Sequence, residues 1–83
     1  MKLDVVFKSN LLQNFIRIQN DEFDVKVIDE QKIEIYNIES LGLDREYDEE
    51  HKLLMFKDSN NHYSRIPIAD IEYYELYKVK DNK

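Results

Sequence analysis

Lys52–Val79, KLLMFKDSNNHYSRIPIADIEYYELYKV, decides how this chain is read. Leu53–Lys57 and Tyr63–Ile68 are short apolar runs separated by Asp58, Ser59, Asn60, Asn61 and His62. Such polar residues tolerate left-handed backbone angles and cap turns with their own side chains, so the stretch predicts a β-hairpin with a longer loop. Pro67 has no N–H to donate and belongs at an edge or at the end of the second strand.

Beyond Pro67 the chain turns at Ile68, Ala69 and Asp70. Ile71, Tyr73, Tyr77 and Val79 then lie on one parity, with Tyr74 and Leu76 on the other. Apolar residues on both parities predict a strand buried on both sides or closing a barrel. A helix over 67–80 competes with it. Pro67 suits a first turn, and the early Asp70 and Glu72 with the late Lys78 and Lys80 suit the helix dipole. The β-favouring Ile71, Tyr73, Tyr74, Tyr77 and Val79 decide for the strand.

Working back toward the start, Leu3, Val5 and Phe7 alternate with Lys2, Asp4 and Lys8, which predicts a first strand with one apolar face. Leu11–Gln19 fits two patterns. Leu11, Leu12, Phe15 and Ile16 share a helical face, whereas Leu12, Asn14, Ile16 and Ile18 share a strand face; Asn20-Asp21, a good turn into Phe23, Val25 and Val27, favours a strand in the second half. Asp29, Glu30 and Gln31 turn the chain into Ile33 and Ile35. Four antiparallel strands in a meander are expected up to Ile38. Glu39–Lys52, ESLGLDREYDEEHK, breaks every period, and Gly42, the only glycine, is the expected site of a positive φ.

The 83 residues allow one modest domain, burying about 60% of the surface that the unfolded chain exposes. No cysteine is present, so neither a disulfide nor a thiolate metal site supports the core, and ten aromatics (six Tyr, four Phe) with many Ile, Leu and Val must do so. No apolar run of about twenty residues could span a membrane. The first residues lack a secretory pattern, and a cytoplasmic location is expected. Eighteen acidic against twelve basic residues leave a net charge of −6, which repels phosphates and anionic membranes and favours a basic partner. Direct nucleic-acid binding is not expected.

Six or seven short strands in this length predict a mostly β fold, a small, strongly bent antiparallel sheet or barrel, with one short helix at 11–18 or 67–80 as the alternative for those stretches. The ending, a hairpin followed by Ile66-Pro67-Ile68-Ala69-Asp70-Ile71 and a last strand, resembles the closing turn of SH3-like and Sm-like barrels over about a third of the chain. That resemblance implies an SH3-like barrel and carries no function.

Two constellations stand out. The first is the acidic run Asp44, Glu46, Asp48, Glu49 and Glu50. It lacks the glycine and terminal glutamate of a calcium loop, and it reads either as a solvated loop or as a docking surface whose carboxylates imitate nucleic-acid phosphates. The second is the tyrosine-rich end, Tyr73, Tyr74 and Tyr77, of which Tyr73 and Tyr77 are the candidates for contact with a partner. His51 and His62 lack the further ligands that a zinc site needs, so no metal or other cofactor is expected. Ser9, Ser40, Ser59 and Ser64 all sit in turn-like contexts, and no nucleophile elbow or phosphate-cradling loop is present.

The chain is therefore expected to bind rather than catalyse. The leading expectation is an acidic protein-binding module, in its sharpest form an inhibitor or DNA-mimicking decoy of the kind that phages and other mobile elements encode against host nucleic-acid enzymes. The alternative is an assembly protein that forms homo-oligomers through strand edges and tyrosines.

Overall fold

The computed structural model describes residues 1–9, 12–45 and 52–78. Its elements are β1 (Lys2–Phe7), α1 (Leu12–Asn20), β2 (Val25–Val27), β3 (Lys32–Ile35), β4 (Ile38–Arg45), β5 (Lys52–Asp58), β6 (Tyr63–Pro67) and β7 (Ile71–Tyr77). Among the described residues, seven strands form two antiparallel sheets, ordered β2-β3-β1-β7 and β4-β5-β6. A mostly β fold was expected and is what forms, but the sheets do not close into a barrel, so the SH3-like closure is not realised. Nor is the first half a meander, because β1 lies between β3 and β7.

The chain crosses between the sheets twice, from β3 to β4 and from β6 to β7. β3 passes into β4 through Asn37, whose φ of 62° is a left-handed conformation that asparagine adopts more readily than most residues. Ile38 and Met1 exchange both backbone hydrogen bonds, each 2.8 Å, while the Ser59 N–H donates to the Asn37 carbonyl at 3.0 Å. The bend turns Ile38 into the core. There it joins Leu3, Val5, Phe7, Ile18, Phe23, Ile33, Ile35, Leu54, Phe56, Ile66 and Ile71 in one buried cluster.

The strand expected in the second half of residues 11–19 is a helix. Asn14 and Ile18 are buried and Phe15 packs on the core, whereas Ile16, which strand parity would have buried with them, is 46% exposed. Residues 14, 15 and 18 share a helical stripe. The helix ends in a Schellman motif: Glu22 N–H donates to the Gln19 carbonyl (2.9 Å) and Phe23 N–H to that of Ile18 (3.2 Å), with Glu22 at φ 65°. Phe23 and Ile18, both buried, supply the apolar contact of that cap.

Glu39–Arg45, expected to be irregular, belongs to β4 and pairs with β5 from Ser40↔Lys57 to Arg45↔Lys52. Gly42 sits opposite Met55 inside this ladder and has no positive φ, contrary to expectation. The β5–β6 hairpin forms as expected, from Leu53↔Pro67 to Lys57↔Tyr63, with Pro67 closing the second strand. After it, the helix considered over 67–80 is reduced to a single 3-10 turn at Ile68–Asp70, and β7 follows.

β7 is a strand, but not the doubly buried one expected. Among the described residues it is an edge strand, and a bulge explains its mixed pattern. Val6 pairs with Tyr73 and Phe7 with Ile71, leaving Glu72 as the extra residue. Parity therefore flips at Glu72. Ile71 enters the core beside Phe7, while Tyr73 and Tyr77, on the same numerical parity, face outward.

Candidate functional site

Leu3, Val5 and Phe7 point into the core, so Lys2, Asp4 and Val6 face the other way, together with their β7 partners Tyr77, Glu75 and Tyr73. From β3, Glu34 and Lys32 stand opposite Asp4 and Val6 and complete this outer face. Its aromatic rim is accessible: Tyr73 is 52% and Tyr77 39% exposed.

Alternation places Glu75 between the two tyrosines. The Tyr77 hydroxyl donates to Glu75 Oε2 at 2.6 Å, and the Tyr73 hydroxyl donates to the same oxygen. A carboxylate that accepts two phenolic hydrogen bonds favours its charged form, which lowers the Glu75 pKa. The same bonds favour the neutral phenols. Tyr73 is shifted up by its hydrogen bond to Glu75, and Tyr77, by the same cause aided by desolvation, is pushed up to about 12. Lys2 Nζ lies 5.0 Å from the Tyr77 ring centroid, within cation–π range.

Lys2 also joins β7 to β3 electrostatically. Its Nζ donates to Glu34 Oε2 at 2.8 Å and lies 3.5 Å from Asp4 Oδ1, while Lys32 Nζ lies 3.7 Å from Asp4 Oδ2. The hydrogen bond to Glu34 raises the Lys2 pKa, and the bonds from Lys2 and from the Tyr36 hydroxyl (2.7 Å) lower that of Glu34. Asp4, only 5% exposed, is matched loosely: among the described residues its Oδ1 meets the Lys2 ammonium at ion-pair distance and accepts no hydrogen bond. These bonds from Lys2 and the tyrosine hydroxyls thus favour the charged forms of Glu34 and Glu75 and the neutral forms of Tyr73 and Tyr77. The face exposes flat ring area beside fixed charge.

Of the seven residues singled out in the sequence, the structure brings Tyr73 and Tyr77 together. Asp44 lies near the end of β4, its backbone opposite Leu53, and Glu46, Asp48, Glu49 and Glu50 lie outside the described residues. Glu75, the residue that links the tyrosines, was missed, although the Tyr-x-Glu-x-Tyr spacing of residues 73–77 carries the signal once a strand is assumed.

A second polar cluster organises the β5–β6 turn. Asp58 Oδ1 accepts the N–H groups of Asn60 and His62, each at 2.9 Å, and Oδ2 lies 2.8 Å from His62 Nδ1. His62 Nε2 lies 3.2 Å from Glu22 at the end of α1. Burial pushes the Asp58 pKa up, but the hydrogen bonds from His62 and Asn60 outweigh it and hold the carboxyl below its ordinary value. Among the described residues, no group of three His, Asp or Glu side chains is arranged to hold a metal, and His51 lies outside them. A groove of about 450 Å³ beside α1 and β6 gathers Arg17, Arg65, Tyr63, Ser64 and Asp21. Asp21 offsets the arginines there, and the Ser64 hydroxyl is sealed from solvent.

No protein-family model, curated protein or solved structure matches this chain. Among the described residues, no helix is long and apolar enough to cross a membrane.

Proposed function

We propose that this chain is a non-enzymatic, cytoplasmic protein-binding module that works through β7, and that the partner best matched to β7 is a second copy of itself. The observation that carries this reading is the position of Tyr73, Glu75 and Tyr77 on an edge strand. Among the described residues, no strand pairs with the far side of β7. Such an edge presents a row of unpaired backbone groups to another strand.

Charge excludes some registers and permits others. A two-fold axis through Glu72 or Glu75 would set like charges directly opposite, which is destabilising. An axis through Tyr74 sets Glu75 opposite the partner's Tyr73 and Glu72 opposite the partner's Leu76. The two four-stranded sheets would then run into one of eight strands. Rings already held by Glu75 lose little freedom on binding, which favours association.

Light scattering over a concentration series tests this. Dimerisation should be lost in Tyr73→Glu, which sets glutamates opposite one another, and restored in Tyr73→Lys, which sets lysine opposite the partner's Glu75. A monomer at all concentrations, or equal behaviour of the two variants, sinks the β7 pairing. The net charge of −6 favours a second reading, a nucleic-acid-mimicking inhibitor that uses Asp44, Glu46, Asp48, Glu49 and Glu50 against a basic protein. Neutralising those five residues should leave self-association intact and remove salt-sensitive capture of such a partner.

A further inference from the structure

We infer that His62 is a proton-dependent tie between the β5–β6 turn and the end of α1, the charged ring holding Glu22 and the neutral ring releasing it. Histidine is the side chain whose charge ordinarily changes roughly between pH 5 and 8. This ring stands between two carboxylates. Nδ1 lies 2.8 Å from Asp58 Oδ2, and Nε2 lies 3.2 Å from Glu22 Oε2. Among the described residues these two are the charged groups within ion-pair distance of the ring, and Phe23 meets it edge-on with centroids 6.2 Å apart. A neutral imidazole carries one N–H and one lone pair, so it donates to one carboxylate and turns a lone pair on the other. Only the doubly protonated ring donates to both.

The surroundings decide which contact gives way. Asp58 is 3% exposed and fixed in place: its Oδ1 accepts the N–H groups of Asn60 and His62, and its own N–H donates to the His62 carbonyl at 3.1 Å. Against the penalty of burial, the hydrogen bonds from His62 and Asn60 hold its carboxyl below the ordinary value, so it stays charged over this range and keeps the last ring proton on Nδ1. The Glu22 side chain is 76% exposed and turns into water at little cost, which makes its pairing with His62 weak. Its loss therefore loosens the end of α1 without unfolding the protein. Glu22 closes the helix at φ 65°, with its N–H on the Gln19 carbonyl. The groove beside this helix end has Arg17 and Asp21 on the α1 wall and Tyr63, Ser64 and Arg65 on the β6 wall. Among the described residues, two polar contacts join α1 to β6 and the turn before it: His62 with Glu22, and the hydrogen bond from Arg17 Nη1 to the Arg65 carbonyl at 3.2 Å. Raising the pH removes the first.

The test is NMR on the wild type and on Glu22→Gln over the same pH range, reading the His62 ring nitrogens and the hydrogen exchange of the backbone amides of residues 22 and 23, corrected for the intrinsic effect of pH. In the wild type the neutral ring should carry its proton on Nδ1, and the corrected exchange at both amides should quicken about two- to threefold in step with ring deprotonation. In Glu22→Gln the side-chain amide accepts from Nε2–H or donates to a bare Nε2, so the ring should still titrate while the step in exchange is lost. A neutral ring with its proton on Nε2, exchange that ignores the ring's titration, or the same step in both chains each overturns the inference.

Discussion

Asp58 and Asp4 are both carboxylates buried to within a few per cent, 3% and 5% exposed, yet their surroundings differ. Asp58 ties down its own turn with two backbone N–H groups and a histidine ring. Asp4 lies on the outer face of the four-stranded sheet, flanked at 3.5 and 3.7 Å by two lysines, with one oxygen accepting no hydrogen bond among the described residues. The first arrangement converts a buried charge into backbone order. The second leaves polar capacity unspent under a face whose tyrosines are exposed. Asp4 thus meets its neighbours as a loose ion pair rather than through well-formed hydrogen bonds.

The largest expected effect comes from breaking the satisfied member. Asp58→Ala should cost about 2–3 kcal/mol in urea denaturation, because it orphans turn N–H groups that the carboxylate holds. Asp58→Asn keeps an acceptor at Oδ1 and should cost less. The pH dependence has a definite sign. A folded pKa below the ordinary 3.8 means that the contribution of Asp58 is present above that value and lost as pH falls through the lower folded one. Asp58→Asn should therefore flatten the acid limb of the stability curve, and a loss under about 0.5 kcal/mol for Asp58→Ala would show that the turn closes without it.

The outer face predicts a smaller effect of a different kind, in titration. Tyr77 should ionise near pH 12 in an ultraviolet alkaline titration, well above its ordinary 10. In Glu75→Ala the Tyr77 and Tyr73 transitions should move down toward that ordinary value, because the acceptor that favours the neutral phenol is gone. The folded pKa is raised, so the hydrogen bond's contribution is intact below pH 10 and disappears as pH rises through about 12. No late-titrating tyrosine in the wild type would mean that the rings are free and the face is not preorganised.

The two regions were not equally legible in the sequence. The Asp58 turn was, because Asp-Ser-Asn-Asn-His between two apolar runs announces a loop whatever surrounds it. That β7 is a strand was legible from its tyrosines, but which way they face was not. One bulge residue, Glu72, reverses the parity, and no side-chain pattern marks it. α1 was hidden for another reason. Leu11, Leu12, Phe15 and Ile16 fit a helical face and Leu12, Asn14, Ile16 and Ile18 a strand face, and the burial of Asn14 and Ile18 with Ile16 exposed follows neither set in full. β4 escaped although Leu41 and Leu43 alternate with Ser40, Gly42 and Asp44, because the irregularity between Ile38 and Ser40 puts the buried Ile38 on the other numerical parity and the glycine reads as a turn. Of the acidic candidate, only the backbone of Asp44 falls within the described residues.

The smallest expected effect sharpens the contrast most. Asp4→Asn removes the charge that Lys2 and Lys32 flank, and both lysines are partly exposed, so each lost pairing is weak. It also removes repulsion from Glu34 and Glu75, which stand opposite Asp4 in the ladder on either side. These changes oppose one another, and the net shift in urea denaturation should stay within about 0.5 kcal/mol. Asp58→Asn makes the same chemical change at the same depth and should cost more, since the histidine contact at Oδ2 is lost with no repulsion relieved. Were Asp4→Asn the costlier of the two, Asp4 would be holding the sheet together through Lys2 and Lys32.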